Sequence, residues 1–212
     1  MKRAFALLLL LLFVATSSKG GGLQIVKIDT DHQSFVFSAA SGKPLMFRYW
    51  GARLSEEDAG AILSACGREK SWELYPAYGG ALYTNPALTL VHADGQLTTE
   101  LVFSSCHSRQ LDENRTETII VLQDKVLPLT VELRFTAFRQ QDIVMQSVTV
   151  RNREQGPVIV RQIASAFFSL KAMSYYLTHF HGFLECGDVA QRGIVDSRHQ
   201  NNRFKKRSAY DP

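Results

Sequence analysis

Cysteine is scarce in this 212-residue sequence, and its three copies, Cys66, Cys106 and Cys186, stand far apart. An odd count closes no disulfide framework and at most one pair. No Cys-x-x-Cys or comparable spacing offers a structural zinc site. Long apolar runs are equally few. The most apolar run, residues 4–14, is shorter than the about 20 residues a membrane-spanning helix needs. A phosphate-cradling glycine loop, a Gly-x-Ser-x-Gly nucleophile turn and kinase-type motifs are all missing. A basic excess is missing too, although the formal charge is +4. Residues 18–191 carry 16 Lys and Arg against 18 Asp and Glu, while six basic residues crowd the last 21 positions. A nucleic-acid-binding domain spreads its cations over a folded face. This distribution excludes nucleic acid and a membrane surface as partners of the body.

The ends of the chain have their own character. Lys2-Arg3, the apolar residues 4–14 and the small Ala15-Thr16-Ser17 form a secretory signal pattern over residues 1–18. No cysteine follows the apolar core to take a bacterial-type lipid anchor. The expectation is an exported, periplasmic or extracellular protein. A glycine linker over residues 19–22 leads into one domain over residues 23–198, followed by a basic tail over residues 199–212. Roughly 195 residues remain after cleavage, enough for a domain with a real core.

Between these ends the pattern has a period of two. Residues 24–28 and 34–38 flank a polar turn holding Asp29, Asp31 and His32, and residues 45–49 follow the Ser41-Gly42-Lys43-Pro44 turn. Ser55-Glu56-Glu57-Asp58 starts a short helix, with a serine cap and acids in the first turn, that ends before Gly67. Residues 97–103 and 116–122 read as strands. In residues 129–138, Leu129, Val131, Leu133, Phe135 and Ala137 face one way and Thr130, Glu132, Arg134 and Thr136 the other. Residues 143–151 repeat the alternation, with Val144, Gln146, Val148 and Val150 on one face. Residues 158–170 should form a long, largely buried strand. Short turns between adjacent strands favour antiparallel meanders over βαβ units. The expected fold is an all-β, large antiparallel β-sandwich with one short helix.

The chain is most irregular over residues 72–95. Two prolines and the pair Gly79-Gly80 break it into rigid pieces, so it should be a structured loop. Pro76 forces Tyr75 into an extended conformation. Tyr75, Tyr78 and Tyr83 bracket the glycines, and the loop runs into a strand ending at the Asp94-Gly95 turn. Tyrosine rings on such a loop suit sugar binding, since a flat ring stacks while its hydroxyl hydrogen-bonds. They equally suit plugging one end of a sandwich, and loop aromatics pack more often than they bind.

Other candidate chemistry is thinner. His179-Phe180-His181 with Glu185 and Asp188 has the residue types zinc uses, but two histidines and an unplaced carboxylate do not complete a ligand set. No metal and no cofactor is expected. Asp112-Glu113, Glu56-Glu57-Asp58 and Asp29 with Asp31 are paired carboxylates, yet neighbours on a turn rarely aim at one bond. Asn114-Arg115-Thr116 is a glycosylation sequon.

Taken together, an ordered series of motifs carries a resemblance. It runs through Tyr49-Trp50-Gly51, Tyr75-Pro76-Ala77-Tyr78-Gly79, Pro86-Ala87 and the Asp94-Gly95 turn. It continues with the strand 133–138, residues 148–152, Tyr176-Leu177-Thr178, Gly182 and Asp196-Ser197-Arg198. Over residues 23–198 this resembles the N-terminal domain of glycoside hydrolase family 36, the α-galactosidases and their relatives. The resemblance implies a supersandwich-like domain that precedes a (β/α)₈ barrel, where two aspartates cleave α-galactosides. It implies loops that help wall the sugar pocket, sometimes of a neighbouring subunit. Trp50, Tyr75 and Tyr78, with Asp58 further removed, are then the substrate-binding candidates, and no residue here is a catalytic candidate.

Two departures stand out. Gly80-Ala81-Leu82-Tyr83 replaces the family's acidic-aromatic-arginine run. His199-Gln200-Asn201-Asn202 replaces its turn into a further strand. A barrel needs about 250 residues, which these strands leave no room for. The expectation is a fragment with an incomplete sandwich, inactive alone, that works in a homo-oligomer or with a complementing polypeptide. The alternative is a stand-alone carbohydrate-binding or structural module.

Overall fold

The structure, a computed structural model, describes residues 22–65, 72–80, 85–168, 174–183 and 187–196. The signal pattern, the linker up to residue 21, the basic tail, Tyr83 and Glu185 lie outside the described residues. Residues up to Ser169 form one compact unit and residues from Leu170 a second.

In the first unit, β1 (Gln24–Asp29), β2 (Gln33–Ala39), β3 (Met46–Ala52) and the short β4 (Trp72–Glu73) make an antiparallel sheet in chain order. Helix α1 (Glu56–Ala65) lies beside β1. A small antiparallel pair joins β5 (Leu88–Val91) to β10 (Ile159–Ile163). The second large sheet is the meander β6 (Leu101–Gln110), β7 (Arg115–Asp124), β8 (Leu129–Phe138) and β9 (Ile143–Asn152). In the second unit, β11 (Ser174–Phe183) and β12 (Gly187–Asp196) form an antiparallel hairpin.

Alternation decides which residues meet between the large sheets. Val26, Ile28, Phe35 and Phe37 from one sheet join Ile120, Leu122, Val131, Leu133 and Phe135 from the other in a single core. Phe37 and Phe135 touch across it, their ring centroids 5.5 Å apart. Burying each such side chain contributes about 1.5–3 kcal/mol. The expected β-sandwich is what forms, with α1 the one described helix.

Two expectations need correction. The strand expected over residues 97–103 starts only at Leu101 and runs on to Gln110. Its register is set by β7, which pairs Leu101 with Asp124 and Gln110 with Thr116. Thr99 instead gives its backbone N–H to Tyr78 O. Of residues 158–170, expected long and buried, those described, 158–168, hold a single strand, the five-residue β10, exposed throughout. β10 pairs with the four-residue β5 and follows its length, so Ile159 remains 61% exposed.

Candidate functional site

The loop over residues 72–95 is pinned from both ends. Leu74 N donates to Leu45 O, Tyr78 N to Leu88 O, and Ala87 N to Pro76 O at 2.7 Å. Ala77 and Leu88 form a parallel bridge. Gly79 has φ +98°, and a Cβ there would lie 2.6 Å from Thr98 Cγ2 and 3.0 Å from Thr98 Cα, so no larger residue fits. The turn after β5 is as expected: Gly95 has φ +86°, and His92 and Gln96 close it.

The four substrate-binding candidates do not converge. Tyr75 is 2% exposed, and its hydroxyl donates to Ala164 O at 2.7 Å. Burial pushes that phenol up to about 12. The ring plugs the core between the loop and the segment after β10, and its polar end is already committed. Tyr78 is 48% exposed. Asp58 lies in the first turn of α1, where Ser55 Oγ accepts its N–H at 3.0 Å and donates to its Oδ2 at 2.7 Å. That is a serine N-cap with the aspartate bonded to the capping hydroxyl, a role in helix initiation. Of the four, only Trp50 lines the cleft described next.

Trp50 faces Phe35 across the β2–β3 pair, rings stacked at 5.1 Å and 22°. Its other neighbour is Phe168, at 5.6 Å and 36°. Gln33 Oε1 accepts the indole N–H at 3.0 Å and fixes the ring plane. Below these rings lies a cleft of about 140 Å³, walled also by Phe37, Leu74, Phe135 and Val144, with Asp142 and Gln146 as further polar members. Trp50 and Phe168, 42% and 47% exposed, form its open rim.

The two polar members differ. Asp142 closes the β8–β9 turn in a left-handed conformation, φ 53°, which an aspartate tolerates. Its Oδ1 accepts Thr30 Oγ1 at 2.8 Å and His32 N at 2.9 Å, and its Oδ2 accepts His32 Nδ1 at 2.7 Å. Those bonds, Thr30 first, hold the carboxyl below the usual range. The carboxylate ties the β1–β2 turn to the β8–β9 turn. Gln146 has no such partners. It stands on the core face of β9 opposite Phe135, and neither its amide nitrogen nor its oxygen is hydrogen-bonded among the described residues, though both are shielded from solvent. An unsatisfied buried polar group costs about 1–3 kcal/mol. The signal was in the sequence as the single polar side chain among Val144, Val148 and Val150.

A second polar cluster is complete in itself. His92 Nδ1 meets Glu154 Oε1 at 2.8 Å, His92 Nε2 meets Thr99 Oγ1 at 2.8 Å, and Glu154 Oε2 accepts Ala93 N at 2.9 Å. The hydroxyl, imidazole and carboxylate follow the order of a hydrolase triad, but all three are buried, so they join two turns and meet no substrate. On β11, His179 pairs with Gln191 and His181 with Val189, while Asp188 pairs with Gly182. No group of three or more metal-ligating side chains occurs among the described residues.

Residues 43–183 match the family model described as the glycosyl hydrolase family 36 N-terminal domain. The bifunctional alpha-galactosidase/sucrose kinase AgaSK of Mediterraneibacter gnavus is 24% identical over 137 residues, 56% of this chain and 15% of that protein. The solved galactosidase domain of AgaSK superposes with a TM-score of 0.65 at 18% identity, covering 82% of this chain and 29% of that one. The α-galactosidase of Lactobacillus brevis gives 0.60 at 16%, covering 79% and 27%. The family 36 α-galactosidase AgaA of Geobacillus stearothermophilus, solved in complex with raffinose, gives 0.62 at 17%, covering 80% and 28%. At these identities the superpositions show a shared fold. The chain spans less than a third of each solved relative.

Proposed function

Because the chain belongs to the glycosyl hydrolase family 36 N-terminal domain family, we propose that it shapes the substrate pocket of an exported α-galactosidase and supports its assembly. Bond cleavage then belongs to a barrel, in this or another polypeptide, that carries the two aspartates. The observation that supports this most is the extent of the family match, which takes in the whole β6–β9 sheet, β3 and β4 of the first sheet, the Tyr75–Gly79 loop and β11. Similarity to enzymes named as α-galactosidases, one of them solved with raffinose, supports terminal α-galactosides as the sugar class. The residues 1–18 pattern supports export. The aromatic cleft at Trp50 favours a second role beside the first, sugar binding by the domain itself.

The test is complementation. The AgaSK galactosidase domain, stripped of the segment this chain resembles, is co-expressed with the full 212-residue chain and assayed for galactose release from raffinose. The chain alone should release none, and the pair should release it. Hydrolysis by the chain alone that disappears on replacing one of its own acidic residues would overturn the assignment. So would a stripped domain that stays inert with the chain present.

A further inference from the structure

We propose that the cleft under Trp50 is a non-catalytic subsite for one hexopyranose ring, with Gln146 turning its amide onto two neighbouring hydroxyls of the sugar. This rests on the α-galactosidase reading for the choice of galactose, but the site itself follows from three features of the cleft. First, Gln146 borders the cleft and carries one donor group and one acceptor, both unpartnered among the described residues and shielded from solvent until the side chain turns. An amide of that kind matches a pair of adjacent sugar hydroxyls, one accepting and one donating. Second, the rim is aromatic and held in place. The Trp50 ring is clamped between Phe35 and Phe168 and oriented by Gln33, so the exposed parts of Trp50 and Phe168 give the sugar a fixed apolar rim. Third, the size selects the ligand. About 140 Å³ is far more than the ~10–15 Å³ that admits one water, and well short of the ~300–1,000 Å³ of a drug-sized pocket. One ring fits the cleft, and a second ring of an oligosaccharide projects past Trp50 into solvent. Asp142 does not compete for the sugar, since Thr30 and His32 occupy both its oxygens.

The test is a titration of the ¹⁵N-labelled full chain with galactose, with glycerol as a control for a hydroxyl-bearing additive. Galactose should shift the Trp50 indole and the Gln146 side-chain amide resonances together. Its dissociation constant should be about 1–10 mM, the affinity that about a dozen heavy atoms supply at ordinary ligand efficiency. Gln146→Leu, of similar shape and without the amide, should weaken binding at least about tenfold. It should also melt about 2–4 °C higher, because it removes an unsatisfied buried group. Trp50→Phe, which keeps an aromatic face and loses the indole clamp, should bind several-fold more weakly and still fold. Glycerol matching galactose, no shift of either resonance at 100 mM galactose, or full binding by Gln146→Leu would each overturn the proposal and identify a water-filled cleft only. Galactose binding without complementation of the stripped enzyme would sink only the α-galactosidase role. Complementation without galactose shifts would sink only this subsite.

Discussion

Tyr75 shows how much a single side chain decides in this domain. Its ring is in the core and its hydroxyl is bonded to Ala164 O. Tyr75→Ala should therefore lower unfolding stability by about 3–5 kcal/mol in urea melts, and Tyr75→Phe by about 1 kcal/mol. The phenol also dictates an alkaline limb. It is raised from 10 to about 12 in the folded state, so the unfolded chain ionises first. Its contribution is complete below pH 10 and should fade between about pH 10 and 12, a loss Tyr75→Phe abolishes. Tyr75 and Tyr78 flank Pro76 and look equivalent in the sequence. They differ because Pro76 O accepts Ala87 N and turns the chain between them, a contact no local pattern encodes. Gln146 was visible as a break in an apolar alternation, but its lack of partners depends on what packs around it in the folded core, which the alternation does not encode. Trp50 joined the cleft through its cross-strand partner Phe35, which strand pairing alone could have indicated.

Among the elements, β8 and α1 were legible and β6 and β10 were not, for different reasons. β8 is central, so its alternation reports burial directly, and its apolar positions, from Leu129 to Ala137, are at most 2% exposed. The serine N-cap starting α1 is local chemistry, contained in four consecutive residues. Ser55→Ala should therefore cost about 1 kcal/mol, and Asp58→Asn should leave galactose affinity unchanged in the titration above. β6 was displaced because its polar half pairs with β7, and a register depends on both strands. One such pairing makes a further prediction. Glu117, on β7, is flanked by Arg109 from β6 and Arg134 from β8, each at 2.8 Å. Burial raises its carboxyl, but the two guanidinium groups outweigh burial and hold it below 4.5. The stability it supplies is present above that ordinary value and is lost as pH falls through the lowered one. Glu117→Gln should flatten the acid limb of a pH–stability curve.

At the largest scale, the first unit's sandwich has a closed core and, among the described residues, apolar side chains exposed on β9 and β10. Ile143 and Met145 on β9 and Ile159, Val160 and Ile163 on β10 are each about half exposed or more. β9 has no partner beyond β8 among the described strands, and open apolar edges favour association. The full chain should elute from size exclusion earlier than its monomer, and Ile159→Lys with Ile163→Lys should move it toward the monomer. A sharp, reversible melt of a monomeric wild-type chain would contradict this. Any such assembly needs a reporter of whether the sandwich inside it is native, and the His92 cluster provides one. An ionised carboxylate at Glu154 accepts only, which places the proton facing it on His92 Nδ1, 2.8 Å away and sealed from solvent. That proton should exchange slowly and resonate far downfield of the amide envelope. A one-dimensional spectrum would then show whether the turns after β5 and β9 are still joined, in an assembly of any size that tumbles fast enough to observe.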